Sequence, residues 1–185
     1  MKWMAIAAVT LTLGVTSVYA QEERPVKMTF SGTNVATTIN LQPGTVTDEH
    51  HSAGRGSLGP FTFRELHADG PAPQTPSTCP GPHFLVVAGA GVFRFQDGSL
   101  LIVRLQDGDG CINPMAGFAL LTVRYQITGG TGRFEGASGA LTMAATMKSV
   151  LRNAANAPAL LMLTGEFEGT IAGVAKEREN RDGRQ

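Results

Sequence analysis

Short stretches in which apolar and polar residues alternate are the feature of this sequence that most constrains its fold. Between Leu121 and Ile127 every second residue is apolar, and the residues between them are polar. This period of two is typical of a β-strand with one buried face, because successive side chains of a strand point to opposite sides. Glycine and proline, at 23 and 10 residues, separate such stretches along the chain. The sequence therefore predicts many short strands joined by turns.

The alternation predicts about eight strands, which we expect to form an all-β fold. Sequential strands of this number favour a single closed antiparallel barrel, because closure removes exposed strand edges, and a β-sandwich is the alternative. The dipeptide Asp97-Gly98 predicts a tight hairpin. Loops are expected at 69–82 and 107–114, and 149–159 is expected to be a loop or one short helical turn. The predicted strands are 26–31, 36–41, 57–66, 84–95, 99–106, 118–128, 133–147 and 160–171.

The first residues have the pattern of a cleaved secretory signal peptide at 1–20. Lys2 precedes an apolar segment, which ends in the small-residue cleavage pattern Val18-Tyr19-Ala20. The segment is shorter than the roughly 20 residues that span a bilayer, so an uncleaved membrane anchor is the less favoured alternative. We expect a secreted or periplasmic protein with no stable membrane insertion after cleavage. A β-barrel domain at 21–175 and a charged C-terminal tail at 176–185 would follow the signal peptide.

Cys79 and Cys111 lie in segments rich in proline, glycine or aspartate. Two cysteines in an exported chain predict one disulfide between them, and two free thiols or a catalytic cysteine are the alternatives. The neighbours of both cysteines in sequence offer no positive charge that would activate a thiolate. The disulfide would bring the loops at 69–82 and 107–114 together at one end of the molecule.

The charge distribution excludes some partners and ligands. Fifteen basic and fifteen acidic residues give no formal net charge, and no basic cluster suited to nucleic acid is present. The segment 107–110 alternates aspartate and glycine but lacks the remaining ligands of a calcium loop, so we interpret it as a turn. The sequence predicts no metal site and no cofactor, because the histidines lack metal-binding spacing and are expected to be solvated. These histidines are His50, His51, His67 and His83.

A glycine-rich motif follows the strand that contains Tyr125. From Thr128 the chain reads Thr-Gly-Gly-Thr-Gly-Arg-Phe-Glu-Gly-Ala-Ser-Gly, with a second strand after it. This motif resembles the allene oxide cyclase and dirigent families, and also exported bacterial proteins that mostly lack an assigned activity. The resemblance covers about 118–171 and implies a β-barrel. It does not place catalytic residues, because the families' catalytic residues lie largely outside this stretch.

The glycines of this motif also have a physical interpretation. A tight turn requires backbone conformations that glycine adopts freely, and a glycine within a strand marks a bend or a close approach of another segment. A phosphate loop is not indicated, because the motif lacks Gly-Lys-Ser/Thr and a following helix. The glycines predicted to build the turn and barrel corner are Gly129, Gly130, Gly132, Gly136 and Gly139.

Two polar residues lie on strand faces that are otherwise apolar, Glu65 and Tyr125. Inside a barrel they would be weak candidates for acid–base catalysis, although a solvated strand end and an ordinary core tyrosine are the simpler interpretations. We expect an exported barrel that binds a small apolar ligand or a partner protein. The alternatives are an isomerase or cyclase acting on a hydrophobic or phenolic substrate, and a structural protein of the cell envelope. The sequence leaves enzymatic activity and oligomeric state open. The candidate ligand-lining residues are Phe61, Phe63, Leu121, Val123 and Phe167.

Overall fold

The computed structural model of the chain describes residues 22–76 and 78–175. The predicted signal peptide and charged tail lie outside these residues. Within the described part of the chain, no helix is long and apolar enough to cross a membrane. A 3-10 helix at Gly132–Phe134 connects the sixth and seventh strands. The strands are β1 (Arg24–Ala36), β2 (Val46–Gly56), β3 (Phe61–Pro71), β4 (His83–Phe95), β5 (Leu100–Asn113), β6 (Phe118–Gly130), β7 (Ser138–Arg152) and β8 (Pro158–Ala172).

The eight strands form a closed barrel. Each strand pairs antiparallel with the next along the chain, and β8 pairs antiparallel with β1, from Arg24 opposite Ile171 to Asn34 opposite Leu161. The predicted all-β barrel is therefore confirmed, and the sandwich alternative is wrong. Because strands alternate in direction, the connections at 57–60, 96–99 and 131–137 lie at one end, which we call the lower end. The connections at 37–45, 72–82, 114–117 and 153–157 lie at the upper end.

Side chains close the lower end of the barrel. Leu58, Phe134 and Ala137 from the lower connections are buried there beside Phe95. The guanidinium of Arg133 donates a hydrogen bond of 2.5 Å to the carbonyl oxygen of Leu58, which joins two of these connections. The interior is therefore closed to solvent from below.

Aromatic rings fill the lower half of the interior. The ring centroids of Phe63 and Phe93 lie 4.3 Å apart, and those of Phe93 and Phe167 lie 4.9 Å apart. Gly91 makes room for this packing, because a Cβ at that position would lie 2.5 Å from the ring of Phe63. Burial of each ring contributes about 1.5–3 kcal/mol to stability. The cluster contains Phe30, Phe61, Phe63, Phe93, Phe95, Phe134 and Phe167.

The second strand lies where the sequence predicts no strand. The prediction of a strand at 36–41 is wrong, because β1 ends at Ala36 and β2 occupies Val46–Gly56. The inward side chains of β2 include Asp48, His50 and Ser52, which are polar and buried. An apolar alternation cannot reveal a strand whose inner face is polar.

The prediction of a loop at 107–114 is also wrong, because β5 continues through Asn113. Gly108 and Gly110 face the interior within that strand. A Cβ at Gly110 would lie 2.0 Å from the ring of Phe84, so glycine is needed there for close packing and not for a turn. The other two predicted loops are shorter than expected, because β3 ends at Pro71 and β7 extends from Ser138 to Arg152.

The glycine-rich motif forms the lower connection between β6 and β7. Gly132 begins the 3-10 helix with φ at 61°, a conformation that side chains rarely adopt. Gly139, with φ at 138°, lies against β8, where a Cβ would come within 2.2 Å of the carbonyl oxygen of Thr170. Of the other glycines of the motif, Gly129 and Gly136 also have positive φ. A Cβ at Gly130 would lie 2.2 Å from the carbonyl oxygen of Leu100.

Cys79 and Cys111 form a disulfide, as predicted, which connects the loop at 72–82 to the upper part of β5. It crosslinks two segments that the chain separates by 32 residues. The disulfide therefore fixes the longest loop of the upper end to the barrel wall.

Removal of the disulfide should lower the free energy of unfolding. For a closed loop of this length we expect a loss of about 3–4 kcal/mol on changing both cysteines to serine, because the crosslink restricts the unfolded chain. Urea denaturation followed by circular dichroism measures it. A reductant should lower the midpoint of the wild type to that of the double variant and leave the variant unchanged. An unchanged wild-type midpoint would contradict this prediction.

Candidate functional site

A polar surface lines one side of the upper half of the barrel interior. Its residues come from β1, β2 and β3, and all except Asp69 are no more than 9% exposed. Charged side chains are rarely so buried unless they are paired or bind a ligand, which makes this surface the candidate site. We call it the polar wall, and it consists of Asn34, Asp48, His50, Ser52, Glu65, His67 and Asp69.

The strand register brings the members of the polar wall together. In the pairing of β2 with β3, His50 lies opposite Glu65, and Asp48 lies opposite His67. Asn34 on β1 lies opposite His50. Each pair between β2 and β3 therefore joins an acid to an imidazole, which is a favourable arrangement across neighbouring strands.

The carboxylate of Glu65 is the centre of the polar wall. The hydroxyl of Tyr125 donates a hydrogen bond of 3.0 Å to its Oε2. The Nδ1 atoms of His67 and His50 lie 3.5 Å and 3.7 Å from the same oxygen. Tyr125 belongs to β6, which lies across the barrel from β2 because four strand steps separate them in either direction. The two candidates Glu65 and Tyr125 thus meet at one buried contact.

The histidines divide into two groups. His50 and His67 are buried in the polar wall, so the expectation that they are solvated is wrong for both. The side chain of His51 is 44% exposed and lies 2.7 Å from Glu49, outside the barrel. The side chain of His83 lies 3.3 Å from Asp109 at the upper end and is only 9% exposed, so the expectation of a solvated histidine is wrong there too. Spacing along the chain could not reveal this division, because it depends on the inward or outward side of each strand.

The polar wall holds an internal ion pair. Burial would raise the pKa of Glu65, but the nearby imidazoles of His50 and His67 outweigh it and lower that pKa to about 2. Burial would lower the pKa of His67, but the carboxylate of Glu65, with smaller contributions from Asp69 and Asp48, raises it to about 9. At neutral pH Glu65 is therefore negatively charged and His67 positively charged.

Burial raises the pKa of two other groups of the site, Asp69 and Tyr125. Burial raises the pKa of Asp69 to about 6, the charges of Asp48 and Glu65 add to this rise, and His67 opposes it. Burial, followed by the charge of Glu65, raises the pKa of Tyr125 well above its usual value of 10.0. Tyr125 is therefore a neutral hydrogen-bond donor at neutral pH.

Several buried atoms of the polar wall have no hydrogen-bond partner among the described residues. An unpaired buried polar atom costs about 1–3 kcal/mol, and native proteins contain few of them. Their concentration on one wall indicates a surface arranged for a ligand, an ion or ordered water. These atoms are Asn34 Oδ1, both ring nitrogens of His50, Ser52 Oγ, Glu65 Oε1, His67 Nδ1 and Asp69 Oδ1.

Three residues of the polar wall could hold a metal ion. Asp48, His67 and Asp69 each offer one ligand atom, and these atoms all lie within 4.8 Å of one another. The group was missed in the sequence because it spans two strands, one of which was not predicted. The antiparallel register of β2 and β3, which sets Asp48 opposite His67, would have revealed the group if β2 had been predicted.

The five candidate ligand-lining residues lie in two regions. Phe61, Phe63 and Phe167 belong to the aromatic cluster of the lower half. Leu121 and Val123 face the interior of the upper half from β6. A depression of about 540 Å³ lies elsewhere, on the outer face of β2–β4, and outward-facing residues such as Arg64 form most of it.

Comparison with known proteins does not assign this chain to a family. No protein-family model matches the chain, and no curated protein matches it. Among solved structures, a pterocarpan synthase dirigent protein is similar, with 13% sequence identity and a TM-score of 0.41. The match covers 88% of this chain and 99% of that one. At this level the likeness carries no argument about function, which must come from the site itself.

The ion pair of His67 should make stability depend on pH. Its protonated ring faces Glu65 and Asp69 on β3 and Asp48 on β2, and its pKa is raised from 6.5 to about 9. The stabilisation is fully present below pH 6.5 and is lost as pH rises through 9. In metal-free buffer we expect the free energy of unfolding to fall by roughly 2–3 kcal/mol across this window.

Denaturation at a series of pH values measures this fall. The variant His67→Gln should flatten the profile, whereas His83→Gln should retain it. A flat profile for the wild type between pH 6.5 and 9 would contradict the assignment, as would an unchanged fall in His67→Gln.

Proposed function

We propose that this protein binds a small amphipathic molecule in the upper half of its barrel. The observation that carries this proposal is the set of buried polar atoms on the polar wall that make no hydrogen bond among the described residues. If these positions contributed to stability alone, we would expect apolar side chains there, or polar side chains with all their hydrogen bonds made. A ligand with hydrogen-bond donors or a positive charge would supply partners for carboxylate and amide oxygens such as Glu65 Oε1 and Asn34 Oδ1.

The opposite side of the upper interior accounts for the apolar part of such a ligand. Leu121 and Val123 on β6, Met147 on β7 and Leu163 on β8 are all buried there. One side of the interior thus offers charges and hydrogen bonds, and the other offers aliphatic surface. This combination of apolar lining with few polar groups is typical of small-molecule sites.

The upper end is the side from which a ligand would enter. The lower end is closed by Leu58, Phe134 and Ala137. At the upper end, Phe84 and Leu161 are only partly buried, and the surrounding connections are exposed. In this proposal the disulfide between Cys79 and Cys111 holds one of these connections in place. It also supports the export predicted from residues 1–20, because disulfides persist in oxidising compartments.

Binding is favoured over the isomerase or cyclase alternative by the acid–base properties of Glu65 and Tyr125. A general acid or base works best when its pKa lies near the operating pH. The pKa of Glu65 is lowered to about 2, and that of Tyr125 is raised well above 10.0, so both move away from neutrality. Their contact suits the orientation of a ligand better than the transfer of a proton.

Titration of the full chain with N-phenyl-1-naphthylamine tests the proposal. This amphipathic probe carries one N–H donor, and its fluorescence rises in apolar surroundings. We expect a saturable rise with the wild type. Ala145→Phe adds a ring to the inward face of β7 and should weaken binding about tenfold or more, because the ring occupies space that the probe would fill.

The neighbouring variant Ala144→Phe is the matched control, because residue 144 is exposed on the outer face of the same strand. It should bind the probe as the wild type does. Circular dichroism verifies that each variant is folded, and Val123→Phe provides a second variant that fills the interior. The absence of a saturable signal in the wild type would overturn the proposal. Equal binding by a folded Ala145→Phe or Val123→Phe would also overturn it.

A further inference from the structure

Asp48, His67 and Asp69 lie at the upper edge of the polar wall, where β2 and β3 pair. Their ligand atoms fall within 4.8 Å of one another, and the Nε2 of His67 lies 3.8 Å from Oδ1 of Asp69. Two carboxylates and one imidazole form a donor set that suits divalent transition metals. Because Asp69 is partly exposed, an ion could reach this point from the upper end.

The surroundings of His67 match those of a metal-binding histidine. Such a histidine commonly presents its second ring nitrogen to a carboxylate, which orients the ring and increases its basicity. Here Nδ1 faces Oε2 of Glu65 at 3.5 Å, while Nε2 faces Asp69. Tyr125 in turn holds Glu65 through its hydroxyl. The chain Tyr125–Glu65–His67 therefore directs one imidazole nitrogen toward the two aspartates.

Asn34 provides an independent observation at the same place. Its side chain is 2% exposed, and its Nδ2 donates a hydrogen bond of 2.6 Å to Oδ2 of Asp48. Its Oδ1 has no partner among the described residues, although the atom is buried. An amide oxygen is a neutral ligand that a divalent cation accepts. The side chain that holds Asp48 thus also carries an amide oxygen whose hydrogen-bonding capacity is unused.

We propose that Asp48, His67 and Asp69 form a binding site for a divalent transition-metal ion such as Zn²⁺, with Asn34 beside it and Glu65 orienting the histidine. Binding displaces the proton on Nε2 of His67 to solvent, because a nitrogen that ligates a metal carries no proton. This inference goes beyond the proposed organic ligand and does not depend on it. The site requires no large cavity, because an ion fits among side chains that already lie close together. The imidazole disfavours Ca²⁺, which takes six to eight oxygen ligands.

Calorimetric titration of the full, tag-free, chelator-treated chain with ZnCl₂ tests the site. We expect one Zn²⁺ per chain, a rise in Tm on binding, and no binding of CaCl₂ under the same conditions. His67→Gln and Asp69→Asn should each weaken Zn²⁺ binding by about 100-fold or more, because loss of a group outside the ligand set alone costs about 10- to 100-fold. Glu65→Gln, which changes only the carboxylate behind His67, should weaken it by about tenfold.

His83→Gln is the matched control, because His83 also lies near an aspartate, Asp109, at 3.3 Å. It should bind Zn²⁺ as the wild type does. Co²⁺ provides a measurement without variants. It should shift or broaden the NMR signals of the His67 ring much more strongly than those of the more distant His83 ring. The site is disproved if the wild type binds neither ion. It is also disproved if a folded His67→Gln retains wild-type affinity, or if the Co²⁺ effect appears at His83 alone.

The two proposals can fail separately. Zn²⁺ binding by a wild type that does not bind N-phenyl-1-naphthylamine would support the metal site alone. Probe binding by a wild type that binds no metal would support only the organic ligand.

Discussion

The hydrogen-bonded ladder between β1 and β8 is the interaction on which the rest of the structure depends. It converts a sequential sheet into a barrel without edges and gives every strand an inward and an outward face. An interior of eight strands is about wide enough for side chains to fill. Residues far apart in sequence must therefore meet inside it. The contact between Glu65 and Tyr125, 60 residues apart, exists only because the barrel is closed.

The two halves of the interior have opposite chemistry, and one supports the other. Buried charged groups are expensive even when they are paired, so the polar wall is a poor source of stability. The aromatic cluster below it supplies the apolar burial, and the rings of Phe30 and Phe63 lie 5.6 Å and 5.5 Å from that of His50. This packing holds the polar wall in position from beneath. The wall is therefore a feature that the fold can tolerate, which is consistent with a role other than stability.

The sequence predicts the fold class and strand number because most strands alternate apolar and polar residues, as from Leu121 to Ile127. The sequence does not predict β2, where the inward residues Asp48 and His50 are polar. It also does not predict the upper part of β5, where Gly110 makes space for Phe84. Both errors have the same physical cause. Inward positions of these strands do not carry large apolar side chains, so the sequence shows no apolar alternation there. The missed strand β2 supplies Asp48, His50 and Ser52 of the polar wall. Glu65 and Tyr125 were identifiable because each interrupts an apolar face that was otherwise clear.

The charge balance of the polar wall limits what it can bind. The carboxyl groups of Asp48, Glu65 and Asp69 face the imidazoles of His50 and His67. Glu65 and both aspartates share the positive charge of His67, and burial raises the pKa of Asp69 to about 6 although His67 opposes this rise. An anionic ligand would add to this excess of acid, whereas a cation would reduce it. The same electrostatics therefore favour a metal ion at the aspartates and an organic ligand whose polar group donates hydrogen bonds or carries positive charge.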